Sequence, residues 1–144
     1  MLHLNQDLQQ EIYNDAQRTF PDECCGFLLG EEQGEKRLIT EIRVIDNARE
    51  SNRRRRFKIT PKDYLRAEQY AEDNQLTLLG VYHSHPNHPS VPSEHDRVSA
   101  QPYFSYVIIA VTENEFVSIQ SWRLNEDFQF EEEQITHKQE KITL

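Results

Sequence analysis

The sequence predicts an α+β domain, a mixed sheet covered by helices in three layers. Three observations carry that expectation. Two long stretches place apolar residues at helical spacing, around Leu8–Phe20 and Tyr64–Ala71. Short apolar or alternating runs of strand length lie between and after them. The 144 residues show no internal repeat and no low-complexity linker, so they suit one core. Residues 1–135 are read as that single domain and 136–144 as a polar tail.

In chain order, Leu8, Ile12, Tyr13, Ala16 and Phe20 give Asn5–Phe20 the stripe of an amphipathic helix, which Pro21 ends. Cys25–Gly30 is a short apolar run closed by glycine and reads as a buried strand. Leu38–Ile45 sets Leu38, Ile42 and Val44 among polar residues, as in a half-buried strand, and Phe57-Lys58-Ile59 reads as another short one. Thr60 then offers an N-cap with Pro61 in the first helical position; that helix runs to about Asn74. Leu76–His83 is apolar almost to its end and reads as a central strand.

The next stretch, Ser84–Pro92, contains Pro86, Pro89 and Pro92 and is expected to be a stiff loop. Ser93 reads as the N-cap of a short helix, with Glu94 and Asp96 in its first turn and its end near Pro102. Phe104–Thr112 and Glu115–Leu124 read as strands joined by a turn at Glu113-Asn114, and Phe128–Phe130 as a last edge strand.

The formal charge of −9, from 16 Lys and Arg against 25 Asp and Glu, argues against nucleic acid as the main partner, because neutralising phosphates needs basic surface. Arg53-Arg54-Arg55-Arg56 with Lys58 is the local exception; it reads either as a solvated loop or as a docking site for an acidic partner. The longest apolar runs, Leu76–Val81 and Val107–Val111, are too short for a bilayer. The first residues lack the basic and apolar regions of a signal peptide, so a cytoplasmic protein without a membrane role is expected. Cys24 and Cys25 are adjacent and cannot staple distant segments, which fits reduced thiols.

The chemistry gathers in residues 82–96. His83 and His85 stand two apart at a strand end, so their side chains point the same way. Two imidazoles so placed can grip one metal, with Asp96 as a third ligand from the next helix and one position left for water. Each part also has an ordinary reading. Surface histidines are common, Asp96 suits a helix N-terminus, Ser93 is a cap, and His88 and His95 are either solvated or additional ligands.

The pattern His83-Ser84-His85-Pro86 followed by Ser93-Glu94-His95-Asp96 resembles the JAMM metalloprotease signature of the JAB/MPN domain family. That family also carries an upstream glutamate before an apolar strand, and Pro21-Asp22-Glu23-Cys24-Cys25-Gly26-Phe27-Leu28-Leu29-Gly30 matches it at Glu23. Phe57-Lys58-Ile59-Thr60-Pro61 before a helix is similar too, so the resemblance covers nearly the whole chain. It implies a largely antiparallel central sheet flanked by helices, in a cytidine deaminase-like architecture. It implies one zinc per chain held by His83, His85 and Asp96, with Glu23 as the proton-transferring base and Ser93 assisting the oxyanion.

The short chain is most similar to the small stand-alone bacterial members. Their resemblance implies hydrolysis of an amide or isopeptide bond at the C-terminus of a ubiquitin-like sulfur-carrier protein, removing cysteine or a similar adduct. The carrier's extended tail is expected to lie along an open strand edge beside the zinc, with Arg53–Arg56 against its acidic surface. A non-catalytic MPN-type binding module and an intracellular small-peptide hydrolase are the alternatives.

Overall fold

The computed structural model describes residues 1–137. In chain order the elements are β1 (Leu2–His3), α1 (Gln6–Thr19), β2 (Cys25–Gln33), β3 (Lys36–Ile45), α2 (Pro61–Asp73), β4 (Thr77–Pro86), α3 (Glu94–Ser99), β5 (Ser105–Thr112), β6 (Glu115–Leu124), β7 (Phe130–Glu133) and β8 (Ile135–Thr136). The helices start where their caps dictate. Asn5 Oδ1 accepts from Leu8 N at 2.8 Å, and Thr60 Oγ1 accepts from Asp63 N at 3.1 Å with Pro61 behind it.

The strands form one sheet in the order β7-β6-β5-β4-β2-β3-β1-β8. It is mixed, as expected. The β2–β3, β2–β4, β5–β6 and β6–β7 pairs are antiparallel, and the β4–β5 pair at its centre is parallel. Each face carries its own core. Leu8, Ile12 and Ala16 of α1 pack with Leu28, Leu79, Tyr82 and Ile109; Ala67 and Ala71 of α2 pack with Phe27, Leu29, Val81 and Tyr106. Central strands buried on both faces explain the continuous apolar runs of β2 and β5. Burying a side chain such as Phe27 or Leu28 contributes roughly 1.5–3 kcal/mol.

A bulge in β4 sets which face the histidines occupy. Gly80 pairs with Leu28 and Leu78 with Leu29, so Leu79 is an extra residue. Leu78 and Val81 therefore face α2, whereas Leu79 and Tyr82 face α1. Strand alternation then carries His83 and His85 on the side of Val81 and Ser84 on the side of Tyr82. Tyr82 donates to the buried carboxylate of Asp15 in α1 at 2.8 Å.

Several expectations need correction. Phe57-Lys58-Ile59 is not a strand; Lys58 N donates instead to Asn47 Oδ1 at 3.1 Å, within an irregular loop. β4 extends through His85 to Pro86, because β5 still pairs with it there. Pro86 is tolerated since β2 pairing has ended at His83. Beside the histidines β4 has β5 on one side through Pro86, and β2 on the other only as far as His83, so a strand edge stays unpaired there only at His85 and Pro86 among the described residues. On the β2 side, the open stretch is Ile39–Ile45 of β3, whose outer edge β1 covers only at Arg37 and Leu38. At the end of the described residues, Thr136 aligns with His3 in the sheet, and His137 Nδ1 donates to Leu4 O at 2.8 Å. Residues 138–144 lie outside the described residues. Among the described residues no helix is long and apolar enough to cross a membrane.

Cys24 belongs to the α1 core and Cys25 to the α2 core, and both are unpaired. Burial pushes both thiols up, Cys25 to about 12, so neither forms a thiolate nucleophile near neutral pH. The native protein should therefore be inert to a thiol reagent at pH 8 and expose two thiols per chain on unfolding in detergent; rapid native labelling would contradict this burial. A second prediction concerns packing. A Cβ on Gly80 would stand 1.9 Å from the Ser105 carbonyl oxygen, so the β4–β5 pair must part to admit it. Gly80→Ala should cost about 1–3 kcal/mol or more in urea unfolding. Gly34→Ala, with open space at φ +63, should cost only its backbone strain of about 1 kcal/mol.

Candidate metal and catalytic site

The parallel β4–β5 pair delivers His83 and His85 to the end of the sheet, and the loop after β4 returns α3 against them. Three side-chain atoms converge there. His83 Nε2 and His85 Nε2 are 3.2 Å apart, and Asp96 Oδ2 lies 3.4 Å from the first and 3.3 Å from the second. Asp96 reaches this point because it completes a capping box: its N donates to Ser93 Oγ at 3.1 Å, and its Oδ2 accepts from Ser93 N at 2.9 Å. Both rings are braced. His85 Nδ1 donates to the Pro89 carbonyl at 2.8 Å, and His83 stacks on Phe57 with centroids 4.5 Å apart.

That bracing fixes the chemistry of the cluster. With Nδ1 donating to Pro89, neutral His85 presents a lone pair at Nε2. Burial holds His83 below its ordinary pKa, so its uncharged ring is favoured. Burial also opposes protonation of His85, but Asp96, the Pro89 carbonyl and Glu23 outweigh it and raise its pKa. Asp96 is held far below the carboxylate range: burial works against this, and the adjacent imidazoles and the Ser93 amide overcome it. Three electron-pair donors this close repel one another unless a cation lies between them. The spacing fits zinc, since tetrahedral bonds of 2.0–2.1 Å place ligand atoms about 3.3–3.4 Å apart. A donor set of two imidazoles and one carboxylate is also of the type found at catalytic zinc.

Glu23 joins the cluster from the segment before β2. One of its carboxylate oxygens lies within 4.8 Å of ligand nitrogens of both histidines, so the pair is shared between Asp96 and Glu23. Glu23 is only 2% exposed, and its Oε1 has no hydrogen-bond partner among the described residues. Burial pushes its pKa up to about 8; the charges of His85 and Arg56 oppose the rise and that of Asp96 adds to it. Its backbone is held on both sides. Glu23 N donates to Arg53 O at 2.7 Å, its carbonyl accepts from Asn47 Nδ2 at 3.1 Å, and the following amide, Cys24 N, donates to Ser84 Oγ at 2.8 Å.

Glu23, His85 and Ser93 line one cleft of about 400 Å³, together with Arg55, Arg56 and His88. Ser93 Oγ spends one lone pair on the cap and keeps its own proton to donate. All five residues singled out in the sequence thus meet at one place. His88 and His95 stay outside the cluster, His95 in a second cleft of about 430 Å³ beside His83, Asp96 and Phe57.

The sequence reading missed the braces: Asn47, Phe57, Ser84 and the Pro89 carbonyl. Ser84 had a usable signal, since a residue between two inward-facing strand histidines must face the other way. Asn47 and Phe57 had none, because their partners Glu23 and His83 lie far along the chain; the Pro89 carbonyl is close to His85 in sequence, but the path of the loop between them has no local pattern.

A family model described as prokaryotic homologs of the JAB domain matches residues 5–125. A curated relative, the desampylase of Pyrococcus furiosus, is 31% identical over 104 residues, covering 72% of this chain and 68% of its own. The CysO-cysteine peptidase of Mycobacterium tuberculosis is 26% identical over 125 residues, covering 86% and 83%. A solution structure of a Desulfitobacterium hafniense protein superposes with a TM-score of 0.85 at 30% identity, covering 97% of this chain and 94% of that one. A JAB1/MPN domain protein from Archaeoglobus fulgidus shares the fold, with a TM-score of 0.56 at 18% identity over 93% and 96% of the two chains. With its fold, its motif order and a family match that spans most of its length, the chain belongs to the prokaryotic JAB domain family.

Proposed function

We propose that this protein is a zinc-dependent peptidase acting at the C-terminus of a ubiquitin-like sulfur-carrier protein, where it removes cysteine or a similar adduct in the cytoplasm. The observation that carries the reading is the convergence of His83 Nε2, His85 Nε2 and Asp96 Oδ2 at 3.2–3.4 Å beside the buried carboxylate of Glu23. His83, His85 and Asp96 would hold one zinc. A bound zinc supplies Lewis acidity, bringing the acidity of water near neutrality and polarising a carbonyl.

The chain's own residues supply the rest. Glu23, whose charged form a cation held by the cluster would favour, takes a proton from water as the water oxygen bonds to the carbonyl carbon, and gives it to the nitrogen as the C–N bond breaks. The unpartnered Oε1 is the acceptor available for that transfer. The Ser93 hydroxyl donates to the carbonyl oxygen as charge builds on it. Pro89 and Phe57 keep the imidazoles in register through the cycle. The names of the relatives, a desampylase and a CysO-cysteine peptidase, support a small protein carrier as the substrate class.

Protein purified without chelator should contain about one zinc per chain by elemental analysis, and the His83→Ala/His85→Ala variant should contain none. Absence of zinc even after incubation with excess metal would sink the hydrolase reading. Glu23→Gln should retain zinc yet lose about 10²–10⁴ in turnover of a carrier–cysteine adduct. A Glu23→Gln protein as active as the parent would remove the base from this scheme. Faster cleavage of short free peptides than of the adduct would redirect the reading to a general peptidase.

A further inference from the structure

The arginine run is not one uniform patch. Arg53 and Arg54 are exposed on the turn, while Arg55 and the half-buried Arg56 line the same cleft as Glu23 and Ser93. Neither Arg55 nor Arg56 forms an ion pair among the described residues, although the chain carries 25 acidic side chains. Arg56 Nη1 meets only a neighbouring carbonyl, Arg55 O, at 2.9 Å. Arg56 is close enough for its charge to oppose the upward shift of Glu23, and at His88, lowered first by burial, the charge of Arg55 adds to the lowering.

Their placement is built. Asn47 Nδ2 donates to Glu23 O at 3.1 Å and to Arg56 O at 3.0 Å, while its Oδ1 accepts from Arg49 N at 3.0 Å and Lys58 N at 3.1 Å. Glu23 N closes the loop onto Arg53 O at 2.7 Å. One asparagine therefore locks the arginine loop to the residue that handles the proton. Two unpaired guanidinium groups held beside a reaction centre form a receptor for an anion, and the planar fork favours a carboxylate bound by two hydrogen bonds.

Resting on the peptidase reading, the geometry identifies which anion. The departing nitrogen must come within reach of Glu23, so the leaving group occupies this cleft. If that nitrogen is the α-amine of an amino acid, a carboxylate follows one carbon later, beside the arginines. If it is the side-chain nitrogen of a lysine within a protein, four methylenes follow and no anion arrives. We infer that Arg55 and Arg56 form a subsite for the α-carboxylate of the leaving amino acid, selecting substrates that end in one free residue over isopeptide-linked lysine. Asn47 is the positioning residue of that subsite.

The test uses three synthetic probes with the zinc-loaded enzyme: acetyl-Ala-Ala-Gly-Gly-Cys with a free carboxylate, its C-terminal amide, and acetyl-Ala-Ala-Gly-Gly joined to the side-chain nitrogen of Nα-acetyl-lysine amide. The free acid should be cleaved with kcat/KM at least about 10-fold above the other two, as expected for hydrogen bonds to a charged group. Arg55→Ala/Arg56→Ala should bring the acid-to-amide ratio to about one, chiefly through KM, and Arg55→Lys/Arg56→Lys should restore part of it. A second readout needs no turnover. Calorimetric binding to Glu23→Gln protein should favour the acid over the amide, and that preference should vanish when Arg55→Ala/Arg56→Ala is added. Cleavage or binding with no preference for the acid overturns the carboxylate subsite alone. Neither cleavage nor binding of any probe likewise overturns the subsite, whereas the peptidase reading stands or falls by turnover of the carrier–cysteine adduct.

Discussion

Asp96 Oδ2 accepts the Ser93 amide at 2.9 Å while it stands 3.3–3.4 Å from the ring nitrogens of His83 and His85. The same oxygen therefore caps α3 and completes the donor cluster. Most of the site's geometry depends on that shared contact. It sets where α3 begins, places Ser93 in the cleft with its hydroxyl proton unspent, and fixes how the loop after β4 must return. A helix of six residues contributes little stability by itself, so its direction is set by the cap and by what the cap touches.

The burial of the site has a cost, and hydrogen bonds to the backbone around Glu23 offset only part of it. Glu23 and both histidines are nearly inaccessible, and Glu23 Oε1 and His83 Nδ1 are left without partners among the described residues. Unpaired buried polar atoms are uncommon in folded proteins because each forfeits its hydration. Of these atoms Glu23 Oε1 lies at the cluster whose spacing suits a cation, where such an atom has a use; His83 Nδ1 is the ring nitrogen away from it, and the likewise unpartnered Gln9 Oε1 belongs to α1. Around them the backbone is over-determined: Asn47, Ser84 and the Arg53 carbonyl each hold the Glu23 segment from a different direction. Preorganisation of this kind keeps a carboxylate within proton-transfer range of a reacting nitrogen without reordering at each turnover.

Local patterns were readable where the interaction partners are a few residues apart. The Thr60 cap, the α1 stripe and the Ser93–Asp96 spacing all operate between residues about one helical turn apart, and the structure places each as expected; the Asn5 cap is a finding of the structure. Strands β2, β4 and β5 were readable from apolar runs, because both faces of the sheet are covered there, and β3 from the alternation of a half-buried strand. Phe57–Ile59 misled because its apolar residues are buried individually, Phe57 on His83 and Ile59 in the α2 core, with no strand beside them. β1 and β8 are two residues each, too short for any period to register.

Glu23 was singled out only by the family resemblance, whereas by itself the sequence determined the donor types and their local geometry: two imidazoles two apart on a strand and a carboxylate in a capped first turn. Those follow from rules that act between near neighbours. Only the tertiary structure decided that the four side chains meet, that β2 stops pairing with β4 at His83 while β5 continues to Pro86, and that Arg55 and Arg56 share a cleft with Glu23 while Arg53 and Arg54 do not. These outcomes rest on contacts such as Cys24 to Ser84 across 60 residues and Asn47 to Glu23 across 24. Such pairings follow from how sheet register and loop closure resolve together, and no segment carries that information alone.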